Sequence, residues 1–257
     1  MKKLIALLLA LCIVMALAAC GGNNGGNGSQ ETTTEATTEG TTEGTTTGSE
    51  VKVMTHAEFM AAQKDDVVCV ETYVQATRSW WNNAICVYAQ NEEGGCFIYD
   101  MACSEADAAK LVPGTKIRVT GDKAIYDGEH EIMNGTFEFV EGATPYVAEA
   151  FDATAMLGTA ELEKHMNELA SFKGLKFESL SYKGGATGDD IYVTLSKDGT
   201  NFDFCVEVYL TGPNTDVYKT VEALKAGDIV NITGFLYWYN GANPHITAIS
   251  LAEATNS

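Results

Sequence analysis

The chain has 257 residues, 35 of them acidic against 16 basic, for a formal net charge of −19. Its basic residues are scattered, with Lys116, Arg118 and Lys123 the densest group. Nucleic acid is therefore a disfavoured partner, because phosphate neutralisation supplies much of nucleic-acid affinity. Seven cysteines with no CxxC pair exclude a disulfide framework or a cysteine-rich zinc module.

The chain begins MKKLIALLLALCIVMALAAC, two lysines and an apolar run closed by the small residues Ala18 and Ala19 before Cys20, which is an export signal. Leu4 to Ala19 is almost long enough to cross a bilayer as an anchor. The following GGNNGGNGSQ, however, cannot continue a helix, and Leu17-Ala18-Ala19-Cys20 resembles the bacterial lipobox. That resemblance implies that residues 1–20 are a lipoprotein signal peptide with its lipobox and that Cys20 becomes the lipidated amino terminus. The protein is then expected on the extracellular face of the cell membrane, since two acyl chains anchor stably where one does not.

Residues 21–50 repeat TTTE, ATTE, GTTE and GTTT with almost no apolar side chain. A helix would stack Glu31, Glu35, Glu39 and Glu43 on one face, and Thr and Gly are poor helix formers, so this low-complexity linker is expected to be a disordered tether. Fully extended it spans at most about 100 Å, and as a coil roughly 30 Å.

From residue 51 onward the same order of elements occurs twice. Thr55 to Glu58 has the pattern of a capping box. VVCVETYVQA (67–76), AICVYAQ (84–90) and, after a Glu93-Gly94-Gly95 turn, CFIYDM (96–101) are predicted strands. A helix is expected within SEADAAKLVPG (104–114), then the strand in LVPGTKIRVTG (111–121), a Tyr126-Asp127-Gly128 turn and a strand over 130–140. The second copy opens on a helical signal at Thr159, continues with strands over 169–182 and 190–196, and turns at Lys197-Asp198-Gly199. Alternation of Phe202, Phe204, Val206, Val208 and Leu210 predicts a strand over 202–210. A helix within 213–227 leads to LKAGDIVNITG (224–234), an echo of the earlier phrase 113 residues on, and Tyr239-Asn240-Gly241 precedes a last strand over 244–253.

The order β-β-β-α-β-β, repeated, is that of the OB-fold, a five-stranded Greek-key barrel with its helix between the third and fourth strands. The expected architecture is mainly β: two tandem barrels, 51–145 and 146–257, preceded by the tether. The run SWWNNAICVYAQNEEGGCFIYDMACSEADAAKLVPGTKIRVTG resembles the OB-fold domains, nucleic-acid-binding-like by family name, of surface lipoproteins in Gram-positive gut anaerobes. The second copy is similar but more diverged. The resemblance implies fold and location, and no activity.

No catalytic or metal motif is present. His56, His130, His165 and His245 have no HxxxH or HExxH spacing, and there is no GxSxG, SxxK, Walker loop or calcium ladder. An enzyme is not expected, nor is a cofactor. Cys69, Cys86, Cys96, Cys103 and Cys205 behave as small hydrophobes in β-rich runs, with one bridge among the first four left open.

The stretch that stands out is Arg78-Ser79-Trp80-Trp81-Asn82-Asn83, in the loop between the first two strands. Successive side chains of an extended segment face opposite ways, so the two tryptophans divide between packing and exposure. Trp81, beside the second strand, is expected to pack, and Trp80 to be exposed. With Asn82, and with Tyr126 from the other loop flanking the OB-fold binding face, they form a candidate aromatic platform for a sugar or an unstacked base. In the second copy the aromatics are Tyr237, Trp238 and Tyr239, assigned to the fourth strand. The expected function is a lipid-anchored binding module with a glycan or protein as surface ligand. Oligosaccharide binding through the loop aromatics and single-stranded nucleic-acid binding are the alternatives.

Overall fold

The computed structural model describes residues 51–252. The signal peptide, Cys20, the tether and residues 253–257 lie outside the described residues. Helix α1 (His56–Ala61) starts on the expected capping box: the Thr55 hydroxyl accepts the Glu58 amide, and the Glu58 carboxylate accepts the Thr55 amide. It delivers Phe59 into the first core.

Five strands follow: β1 (Val67–Thr77), β2 (Ala84–Asn91), β3 (Gly94–Ala102), β4 (Lys116–Tyr126) and β5 (Glu129–Phe139). They close a barrel in the order β1-β2-β3-β5-β4, with β4 returning to β1 and β3 running parallel to β5. Between β3 and β4 lies the single turn α2 (Glu105–Ala108), capped by Ser104. The helix expected within 104–114 is this short because after Ala108 the chain tightens into bonds three residues back, from the Lys110 amide to the Asp107 carbonyl and from the Leu111 amide to the Ala108 carbonyl, and Pro113 biases Val112 away from resuming the helix.

The second barrel repeats the scheme. A short strand β6 (Phe151–Asp152) and two 3-10 turns, Thr154–Met156 and Leu162–His165, take the place of the helix expected at Thr159. Then come β7 (Leu169–Tyr182), β8 (Ile191–Lys197), β9 (Thr200–Val206), α3 (Val208–Thr211), α4 (Asp216–Ala223), β10 (Ile229–Phe235) and β11 (His245–Leu251). The sheet order is β10-β11-β9-β8-β7-β6, and β10 also pairs with β7. The ring β7-β8-β9-β11-β10 thus matches the first barrel strand for strand, with β11 parallel to β9. Both barrels therefore have OB-fold topology.

Two expected elements are revised. The strand over 202–210 ends at Val206, because the Asp190 carboxylate accepts the Val208 amide and the Glu207 carbonyl accepts the amides of Leu210 and Thr211, winding α3. The turn expected at Glu93-Gly94-Gly95 moves back to Glu92-Glu93, with Gly94 and Gly95 already paired in β3. The Asp127-Gly128 and Asp198-Gly199 turns form with positive φ at all four residues, the backbone that two-residue hairpins require.

Each barrel has its own core. The first centres on Val68, Val87, Ile98, Ile117 and Ile132, the second on Phe172, Leu195, Phe204, Val230 and Ile246. All five described cysteines are buried and free, so no bridge links the first four. Lys123 also points into the first core, its ammonium 3.5 Å from the Phe59 ring centroid; burial pulls its pKa down to about 8.

Candidate functional site

The side chains on the outside of β2 and β3 are Cys86, Tyr88, Phe97 and Tyr99, and the second barrel sits on them. Tyr88 is fully buried, stacks on Phe235 at 4.8 Å, and brings its hydroxyl to 2.6 Å from His245 Nδ1. Phe97 meets Tyr237 edge-on at 5.3 Å. Arg78 lies 5.0 Å over the Phe97 ring while its Nε ion-pairs with Glu207 at 2.9 Å. Burial pushes the Glu207 carboxyl up against the pull of Arg78, and it lowers His245 so that its imidazole is neutral. Glu129 accepts the Trp238 amide at 2.8 Å and the Asn167 side-chain amide at 2.5 Å, and burial raises it to about 8. A Cβ on Gly95 would collide with the Asn167 backbone, so the two barrels touch there backbone to backbone.

Beside this seam runs the loop singled out in the sequence. Asn82 and Asn83 both have positive φ and make a tight turn closed by reciprocal bonds between Trp81 and Ala84, 3.0 and 2.9 Å. The indole N–H of Trp80 donates to the Cys103 carbonyl at 2.9 Å, and its ring packs on the first core. Trp81 is 80% exposed. The two tryptophans do divide between packing and exposure, but in the opposite sense to the expectation. Proximity to β2 does not bury Trp81, because it forms the outward-facing base of the hairpin turn.

Trp81 forms one wall of an open cleft of about 460 Å³ whose other lining residues include Arg78, Ser79, Tyr99, Asp100 and Tyr209. Tyr209 comes from α3 of the second barrel and is 62% exposed; its carbonyl accepts the Ser79 amide at 2.8 Å, which fixes the two walls relative to each other. Asp100 has φ +46° in a bulge of β3, where the register jumps from Ile85–Met101 to Val87–Ile98. Such a bulge re-aims the side chains around it. The Asp100 amide donates to Cys86 Sγ, and the Cys86 thiol reaches Asp100 Oδ1, both at 3.4 Å. Cys86 is raised to about 11 by burial, so it is a neutral floor and not a nucleophile. Tyr99 is raised first by the neighbouring Asp100 carboxylate and then by burial.

The other candidates are elsewhere. Tyr126 does not join Trp80 and Trp81: its ring pairs with Tyr239 at 6.1 Å, and the Asn240 amide donates to the Asp127 carbonyl, so the two echoed turns dock on each other. Tyr237, Trp238 and Tyr239 are not on the fourth strand, because β10 ends at Phe235 and the chain leaves the sheet to meet Glu129. Tyr237 is seam packing, stacked on His245 at 4.3 Å, and Trp238 leans on the second core. The cleft residues that sequence reasoning missed are Tyr99, Asp100 and Tyr209. Among the described residues no group of three or more His, Cys, Asp or Glu is placed to hold a metal ion.

No family model matches the chain, and no curated protein matches it in sequence. Among solved structures, a murine DNA-binding protein bound to double-stranded DNA is similar over 74% of this chain and 97% of its own, with 9% identity and a TM-score of 0.36. The tetrameric p202 HIN2 structure is similar over 74% and 96%, with 12% identity and a TM-score of 0.33. A replication protein A heterotrimer bound to single-stranded DNA is similar over 76% of this chain and 50% of the matched chain, with 11% identity and a TM-score of 0.29. Likeness of this degree carries no inference about what the chain binds.

Proposed function

We propose that this chain is a binding module, without catalytic activity, held by a lipid on Cys20 at the outer face of a cell membrane, and that it takes an oligosaccharide into the cleft at the seam. The observation that carries the reading is the cleft: an exposed tryptophan and two tyrosines stand around a solvent-open hollow with Ser79, Asn82 and Asp100 on its rim. Aromatic faces with a few fixed polar groups suit sugar rings, and the hollow is within the range of small-ligand sites, about 300 to 1,000 Å³. A ring as exposed as Trp81 gains little for the fold. Its replacement by Ala is expected to leave the melting temperature unchanged while removing binding to cell-wall polysaccharide and to glycan arrays. Retained binding in that variant refutes the cleft reading.

The address rests on the Leu17-Ala18-Ala19-Cys20 motif. Cys20→Ala is expected to lose fatty-acid label and leave the membrane fraction, and undiminished label refutes it. The nucleic-acid alternative meets two obstacles. The strand face that OB-folds use for oligonucleotides is covered in the first barrel by the second, and residues 51–257 carry 14 basic against 30 acidic residues. Sub-micromolar binding to oligo-dT at physiological salt, which is not expected, would restore it.

A further inference from the structure

The two charged groups that line the cleft are not equivalent. Arg78 is already engaged, ion-paired to Glu207 at 2.9 Å and stacked over Phe97 at 5.0 Å. Asp100 is exposed, and among the described residues no basic side chain forms an ion pair with it; the bond its carboxylate does receive comes from the Cys86 thiol, a weak donor, at 3.4 Å. Its backbone is nonetheless held in place by the bulge and by the hydrogen bond that its N–H donates to Cys86 Sγ. A fixed carboxylate with free lone pairs thus sits among three aromatic rings, whose faces are themselves attractive to cations.

The surroundings reinforce that sign. Residues 51–257 as a whole carry a net charge of −16, which steers cations toward the surface. An uncharged sugar would satisfy the rings and leave Asp100 without an ionic partner. A uronic acid or sugar phosphate would be repelled by it.

Resting on the oligosaccharide reading of the cleft, we propose that the sugar held there bears a free ammonium group, as in a de-N-acetylated amino-sugar oligomer, with Asp100 as its counter-ion and Trp81, Tyr99 and Tyr209 as the walls. A cleft open enough to admit a ring fits a charged sugar better than the narrow slot that a lysine side chain needs.

The test compares two tetramers of equal length, glucosamine and N-acetylglucosamine, titrated by calorimetry and tryptophan fluorescence into the full chain in detergent micelles. The glucosamine tetramer is expected to bind about tenfold tighter, the scale of a charged hydrogen bond. Asp100→Asn is expected to abolish that preference, and raised salt to weaken it. Asn tolerates positive φ as well as Asp does, so this variant keeps the bulge, and its melting temperature checks that.

Equal or tighter binding of the N-acetylated tetramer overturns the ammonium proposal and leaves the cleft reading standing, as does a preference that survives Asp100→Asn. Binding of a lysine-rich peptide as tightly as the glucosamine tetramer overturns it in favour of a peptide ligand. If neither tetramer binds, the ammonium proposal falls. In that case Trp81→Ala decides the cleft reading separately, by whether it abolishes binding to cell-wall polysaccharide.

Discussion

The two barrels share a strand order and differ in what the outer face of the second and third strands does. In the first barrel that face is Cys86, Tyr88, Phe97 and Tyr99, and it is roofed by Leu169, Leu210, Phe235 and Tyr237 of the second. In the second barrel the equivalent strands turn out Tyr192, Thr194 and Asp203, with Tyr192 43% exposed. One copy of a surface that OB-folds commonly use for ligands has become the glue between the copies. The open cleft lies instead at the rim, where the first loop of one barrel and α3 of the other meet.

Replacing equivalent positions is the most direct way to break this comparison. Tyr88→Ala removes a fully buried ring with a stacked partner and is expected to cost about 3 to 5 kcal/mol. Tyr192→Ala is expected to stay within about 0.5 kcal/mol. Chemical denaturation of both variants measures the difference, and comparable losses would mean that the faces are not distinct in role.

Within the first loop the same contrast is smaller. Trp80→Ala loses a core contact and the bond to Cys103, an expected cost of about 2 kcal/mol, whereas Trp81→Ala is expected to cost under about 0.5 kcal/mol. Equal destabilisation would place both rings in the core.

The seam should also respond to pH. Burial keeps Glu129 protonated up to about pH 8, whereas its ordinary value is 4.5. Between these values the folded state holds a proton that the unfolded chain has released, so stability declines as pH rises through that window. Glu131, raised to about 7 mainly by burial, adds to the decline in its lower part. Glu129→Gln is expected to flatten the profile of melting temperature between pH 5 and 8, and an unchanged slope would remove the seam from the pH response. Tyr126→Ala is likewise expected to do little: its ring is 54% exposed and Tyr239 beside it is 49% exposed, so stability should change by under about 0.5 kcal/mol and sugar binding should be unaffected. Lost binding would join that patch to the cleft.

The order of the elements was legible because it depends on local rules: the Thr55–Glu58 box, the Asp-Gly turns, and the phrase repeated after 113 residues. The seam was foreshadowed too, since AICVYA (84–89) is apolar on both parities, the mark of a strand covered on both sides. What covers the outer side is set by contacts such as Tyr88 with His245, distant in sequence and without a local signature. Tyr209 was hidden by an alternation that continues through Leu210 while the backbone has already wound into α3 under the Asp190 carboxylate. For Trp80 and Trp81, periodicity stated that the rings point apart but carried no information about which points inward.

The contact of Gly95 with the Asn167 backbone sets how this molecule can be inherited. A chain cut between the barrels would uncover Tyr88, Phe97 and Phe235 together, a sticky surface on each fragment. The pair is therefore one unit for recombination: a half-gene carrying a single barrel is expected to yield an aggregating fragment, so the two barrels have to be passed on together.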